Sequence, residues 1–157
     1  STTAPKSVTI QPTARGSWRS SGQTDPDVWQ GDWSGNYGNW VGAWFYGTQI
    51  ADACAGKNVR DMRLRLSRTR SGGWSYGIQS RVGLHDRATK GNPPQTVNSK
   101  YGPKLEWGEA AWWTLPESFE NSLQTGATKG FFVEGSGKSQ YIHYGGSSGE
   151  LVIRFNA

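Results

Sequence analysis

Between Ser17 and Gly47 the chain reads SWRSSGQTDPDVWQGDWSGNYGNWVGAWFYG, and five of its nine tryptophans fall there, spaced by glycines and small polar residues. A core normally surrounds its rings with Leu, Ile and Val, and too few aliphatic neighbours stand near Trp18, Trp29, Trp33, Trp40 and Trp44 to cover them all. Either the rings cover one another in an aromatic-rich β core, since Trp, Tyr and Phe favour strands and bury a large area each, or some stay open. We expect at least two to remain uncovered. A flat ring beside polar donors suits a sugar, which offers an apolar C–H face and a rim of hydroxyls, and a concave aromatic surface with a few polar groups is the usual form of a small-molecule site.

A length of 157 residues suits one binding domain, 1–157, large enough to bury roughly two thirds of its unfolded surface. Hydrophobic residues make up only 34% and the mean hydropathy is -0.70, which would hint at disorder if the 13% of aromatic residues did not supply large burial units. No apolar run approaches the roughly 18 residues of a spanning helix, and STTAPKSVTI lacks the apolar stretch of an export signal. Membrane insertion is therefore not expected. The one cysteine, Cys54, excludes an internal disulfide and a cysteine metal cluster, and reads as a small buried hydrophobe. The net charge of +5 comes mostly from residues 1–78, with nine Lys/Arg against five Asp/Glu, whereas the remainder has eight against seven. Polyanionic envelope polymers, anionic lipids and nucleic acids are all suitable partners by charge alone.

The clearest periodicity is VRDMRLRLSR at 59–68, where Met62, Leu64 and Leu66 share one parity and Arg63 and Arg65 the other, as in a half-buried strand. A turn through SGG at 71–73 leads to a second run at 78–84, so the two read as an antiparallel hairpin with Arg81 adding to the same basic face. Further strands are expected at 6–10, 14–19, 42–47, 129–134, 139–144 and 150–155. KGNPPQTVNSKYGP at 90–103 carries prolines and no period of two, and reads as a long exposed loop. TQIADACAGKN suggests a helical turn or two. TLPESFENSLQTG is the best helix, over 116–125, with Pro116 in the first turn, Glu117 and Glu120 at the positive end of the dipole and Gly126 as the stop. Many short strands, glycine-rich turns and little helix point to an all-β fold, a β-sandwich of jelly-roll type with one short helix.

The chemistry-bearing residues do not form an enzyme signature. Glycosidases use two carboxylates across a cleft, but Asp25 and Asp27 straddle Pro26 as turn residues, and Glu106 and Glu109 flank a strand end. His85 and His143 belong to separate strands and to no zinc motif, and no G-x-S-x-G turn or phosphate-binding glycine loop occurs. DPDVWQGD misses the spacing of a calcium-binding EF-hand loop, which leaves a structural calcium as the only cofactor to weigh there and a plain loop as the favoured reading. Arginines 60, 63, 65, 68 and 70 form the densest basic run, and Arg63 and Arg65 on one strand stand about 7 Å apart. That face would grip an anionic polymer or serve as a solvated surface that blocks edge-to-edge aggregation. Nucleic acid is disfavoured, because no RNP-like or helix-turn-helix pattern accompanies the aromatics.

The ordered landmarks SWRS, VWQGDWSG, YGNWVGAWFYG, KNVRDMRLRLSR, LEWGEAAWWTLPESF and YIHYGGSSGELVIRF, from about Ser7 to Phe155, resemble the C-terminal domain of minor tail proteins from phages of actinobacteria. The YG segment, the V-x-x-x-R-L-R-L strand and the later LP segment are also similar to carbohydrate-binding-like jelly-roll modules. The resemblance implies a non-enzymatic β-sandwich in the virion, at the tail tip and so extracellular, taking part in host adsorption. The implied partners are a bacterial cell-wall polysaccharide or glycolipid and other virion tail proteins, with a homotrimer as the implied assembly. It supplies no binding residues.

From the residues themselves, Trp29, Trp33, Tyr37 and Trp40 are expected to offer stacking platforms. Asp25, Asp27, Asp32 and Asn39 would hydrogen-bond sugar hydroxyls, and Arg63, Arg65 and Arg81 would hold anionic groups. Trp18, Trp44, Trp107 and one of Trp112 and Trp113 are expected in the core. The function expected is receptor binding without catalysis. Its rivals are a purely structural, oligomerising tail-tip domain and a cell-wall glycan hydrolase.

Overall fold

A computed structural model describes residues 6–34, 38–95 and 97–156. Its strands are β1 (Ser7–Ile10), β2 (Ala14–Trp18), β3 (Thr24–Asp25), β4 (Val28–Gln30), β5 (Val41–Phe45), β6 (Val59–Ser67), β7 (Ile78–His85), β8 (Val97–Leu105), β9 (Ala110–Thr114), β10 (Gly130–Glu134), β11 (Ile142–Tyr144) and β12 (Leu151–Phe155). Two helices, α1 (Gln49–Cys54) and α2 (Glu117–Thr125), lie between them.

One sheet runs β1-β12-β6-β9 and the other β3-β2-β5-β10-β7-β8, and every pairing between these strands is antiparallel. Setting β2, β3, β4 and β11 aside, β1 pairs with β12, β5 with β10, β6 with β9 and β7 with β8. First pairs with last and so inward, which is a long antiparallel strip rolled into two sheets: a jelly-roll β-sandwich. β2 and β3 extend the larger sheet beyond β5, while β4 and β11 form a separate two-stranded ribbon.

The alternation in β6 places Met62, Leu64 and Leu66 in the core between the sheets, where they meet Leu151, Ile153 and Phe155 of β12 and Trp44, Phe131, Val82 and Leu84 of the facing sheet. A smaller cluster of Trp18, Ala43, Phe45 and Phe132 lies on the other side of the larger sheet. α2 docks Phe119 and Leu123, which are four residues apart and so share a face. Gly126 ends it in the left-handed conformation at φ 80°. Trp113 meets Phe119 edge to face, with centroids 6.0 Å apart, and Trp112 points to solvent. Adjacent residues of a strand must face opposite ways.

Two expectations are corrected. β6 and β7 do not form a hairpin, because the chain crosses from one sheet to the other between them, and Arg81 therefore lies on a different sheet from Arg63 and Arg65. The second half of the 90–103 segment is strand β8; register shifts against β7 between Gln79 and Arg81 and between Val82 and Leu84 interrupt its period of two. Pro103 is tolerated there because β8 is an edge strand. The helical turn expected in TQIADACAGKN is α1, where Ile50 and Cys54 are buried.

Candidate functional site

The ribbon of β4 and β11 carries the site. Its register places Trp29 opposite His143, and Gln30 fastens it to the sandwich. The buried Gln30 amide donates to the carbonyls of Gln79 and Gln140, each at 3.0 Å, and accepts from the Arg81 N–H at 3.1 Å and the Tyr144 hydroxyl at 2.7 Å. Two donor and two acceptor positions are filled, so the residue is fully satisfied.

Trp29 is half-buried at the centre of an aromatic cluster. Its ring centroid lies 4.0 Å from His143, 5.6 Å from Tyr141 and 6.4 Å from Trp40. Its indole N–H donates to Asp25 at 3.1 Å. Trp40 is only 5% exposed, and the Arg19 guanidinium covers its ring at 4.4 Å. It acts as a support under the cluster and offers no open face. Of the five tryptophans in the first third, Trp33 is exposed, Trp29 is half-buried, and Trp18, Trp40 and Trp44 are buried. Tyr37 lies outside the described residues.

Trp33 opens onto a surface that the sequence pattern had not assembled. It meets Trp74 edge to face at 5.3 Å, and Trp74 in turn stacks on Tyr76 at 5.4 Å with planes 19° apart. Tyr141 backs Trp33 at 6.0 Å. Trp33, Trp74 and Tyr76 are 37%, 38% and 56% exposed, and together they make one aromatic patch. Trp107, expected in the core, is exposed instead: the turn that carries it swings the ring outward, and its indole N–H reaches the Gly72 carbonyl at 3.3 Å. Trp74 and Tyr76 carry the same signal as the N-terminal stretch, being rings among glycine and serine in SGGWSYG.

Arg68 fixes the loop beneath these rings. It is 2% exposed, and its guanidinium donates to the carbonyls of Tyr76 and Leu105, both at 2.9 Å, and to that of Trp74. Burial pushes its pKa below the usual arginine range. One member of the basic run is thus a structural strut inside the fold.

The polar residues expected to meet sugar hydroxyls largely hold the cluster together. Asp25 accepts from the Trp29 indole and the Asp27 N–H, and Asp27 lies 3.1 Å from His143 Nε2 and 3.8 Å from Arg15. Asp32 is buried with Arg19 at 2.9 Å, and Asn39 accepts from the Gly137 N–H at 2.9 Å. Arg65 lies over the exposed Trp112 at 5.4 Å, with Arg63 two residues before it on the same face of β6. Arg81 stands 4.0 Å from Glu134 on the other sheet. The structure therefore brings Trp29, Trp33, Trp40, Asp25, Asp27, Asp32 and Asn39 into one region, and leaves the three arginines elsewhere.

Among the described residues no group of three or more His, Cys, Asp and Glu side chains comes together as a metal site, and no helix is long and apolar enough to cross a membrane. A cavity of about 240 Å³ lies apart from the aromatic patch, between α1 and α2, lined by Thr48, Asp52, Thr125, Thr128 and Lys129 among others, and it carries no aromatic ring. No protein-family model and no curated protein sequence matches the chain.

Proposed function

We propose that the chain is a non-catalytic recognition module for a bacterial cell-surface glycan, binding by stacking sugar rings on Trp33, Trp74 and Tyr76. The observation that carries this reading is the continuity of those three exposed rings on a fixed support. Tyr141 lies against Trp33, and Arg68 holds the carbonyls of Trp74 and Tyr76. Monomers seldom leave large aromatic surface open without a use for it. Aromatic rings held in place by packing lose little entropy when a ligand arrives. The resemblance to minor tail proteins of actinobacterial phages supports placing the module at a tail tip, where it would bind the host envelope.

The test is a pull-down of the purified protein on actinobacterial cell walls, wild type against Trp33→Ala, Trp74→Ala and Tyr76→Ala, with circular dichroism to confirm folding. Each substitution should weaken binding about fivefold, since stacking on an exposed ring is worth on the order of 1 kcal/mol. Equal binding by folded variants overturns the reading. Release of reducing ends from the walls would instead mark a hydrolase.

A second reading, an oligomerising structural domain, is favoured by Tyr101, which stands well exposed on edge strand β8. Sedimentation of the wild type and of Tyr101→Ser decides it: a trimer that dissociates on substitution supports an assembly role.

A further inference from the structure

We infer that the sugar seated on Trp33 carries a carboxylate, which the Lys138 ammonium recognises; this rests on the glycan-binding reading of the aromatic patch. Lys138 Nζ lies over the Trp33 ring, 5.0 Å from its centroid. A ligand that stacks on that face must share it with the ammonium or displace it. A neutral sugar that displaces Lys138 forfeits the cation–π contact and gives no opposite charge in return. A sugar bearing a carboxylate keeps the ammonium at the rim of the ring and pairs with it.

The charges around Trp33 favour the same ligand. Asp32, its chain neighbour, is buried against Arg19 and accepts from the Ser34 N–H and hydroxyl at 3.3 and 3.1 Å. Asp25 is engaged by the Trp29 indole, and Asp27 by His143 and Arg15. Among the described residues no carboxylate lies within ion-pair reach of Lys138, which is exposed. Trp107, whose indole reaches the Gly72 carbonyl, stands between Glu106 and Gly108 with the Arg70 guanidinium against Gly108, so its surroundings are mixed in charge. Preference for an acid is therefore expected at the Trp33 end of the patch.

The probes are a polyuronate and the same polymer with its carboxyls reduced to alcohols. Wild-type protein should bind the polyuronate roughly two- to fivefold more tightly, the size expected of one partly exposed ion pair, and the preference should shrink with added salt. Lys138→Gln should bring polyuronate binding down to the level of the reduced polymer. Lys57→Gln, which removes an equal charge whose ammonium lies over Phe155 instead of Trp33, should keep the preference. Equal wild-type binding of both polymers, a preference that survives Lys138→Gln, or binding of neither polymer overturns the inference. The glycan reading itself fails separately, if the folded Trp33→Ala, Trp74→Ala double variant binds cell walls as the wild type does.

Discussion

The imidazole of His143 lies across the indole of Trp29, with ring centroids 4.0 Å apart and planes inclined by 25°. Both of its nitrogens are held, Nδ1 at 2.7 Å from the Thr69 hydroxyl and Nε2 at 3.1 Å from the Asp27 carboxylate. His143→Ala removes the stack and both bonds together. The expected loss is about 2 kcal/mol, from about 1 kcal/mol for each hydrogen bond, reduced by the solvent that reaches Asp27, and a similar amount for the ring pair. Urea unfolding measures it, and an unchanged midpoint would show that the stack adds nothing to stability.

Arg68 gives a second expectation. Its planar fork reaches three backbone carbonyls from two separate segments, those of Trp74, Tyr76 and Leu105. A lysine ammonium in its place has a different shape and cannot span the same three acceptors. Arg68→Lys should lower stability by about 2 kcal/mol through the carbonyls left without donors. It should also weaken cell-wall binding while Trp33, Trp74 and Tyr76 are all still present. Retained affinity at reduced stability would separate the strut from the patch.

The buried His85 makes the fold sensitive to acid. Its Nδ1 accepts the Arg87 N–H at 3.1 Å, which fixes the neutral tautomer with Nε2–H donating to the Trp44 carbonyl at 2.8 Å. Burial lowers its pKa. Between that value and the ordinary one of about 6.5 the unfolded chain takes up a proton that the native chain does not, so stability falls as pH drops through this window. Above about 6.5 His85 contributes no slope. Asp61, whose pKa the Arg154 guanidinium lowers, adds its own loss only below about 4. Urea midpoints for wild type and His85→Gln between neutral pH and pH 5 should differ in slope, the wild type being the steeper.

Gly149→Ala tests the packing between the last turn and the core. The residue has φ 94°, and an added Cβ would lie 2.6 Å from Trp44 Cδ1 and 2.9 Å from Pro12 Cγ. The Gly149 carbonyl also accepts the Tyr46 hydroxyl at 2.6 Å. Backbone strain and overpacking act together here, and each is worth about 1–3 kcal/mol. The variant should lose on the order of 3 kcal/mol in thermal or urea unfolding. A loss near zero would mean that the turn rearranges without cost.

Much of the framework can be read from local pattern. The parity of Met62, Leu64 and Leu66 marks the inner face of β6, and the Pro116 to Gly126 punctuation marks α2, because both signals depend on neighbours in sequence. Pairing partners are harder to read. Alternation in β6 and in β7 shows that each has an apolar face but does not say which strand lies alongside, and the two runs enter different sheets. In β8 the register shifts remove the period that would have disclosed a strand. Of the ring-rich stretch, Trp33 is exposed while Trp18, Trp40 and Trp44 are buried. Nothing local tells that Arg19 covers Trp40, or that Trp74, forty-one positions after Trp33, completes the open surface.

The rings gathered around Trp33 come from segments near residues 33, 74 and 141, and only the closed sandwich makes them neighbours. A peptide copied from any one segment cannot imitate the surface. Heat or denaturant that opens the barrel-like roll must disperse the rings in the same step. Under the proposed glycan-binding role, adhesion to cell walls would serve as an assay of the native state, lost all at once and regained only on refolding.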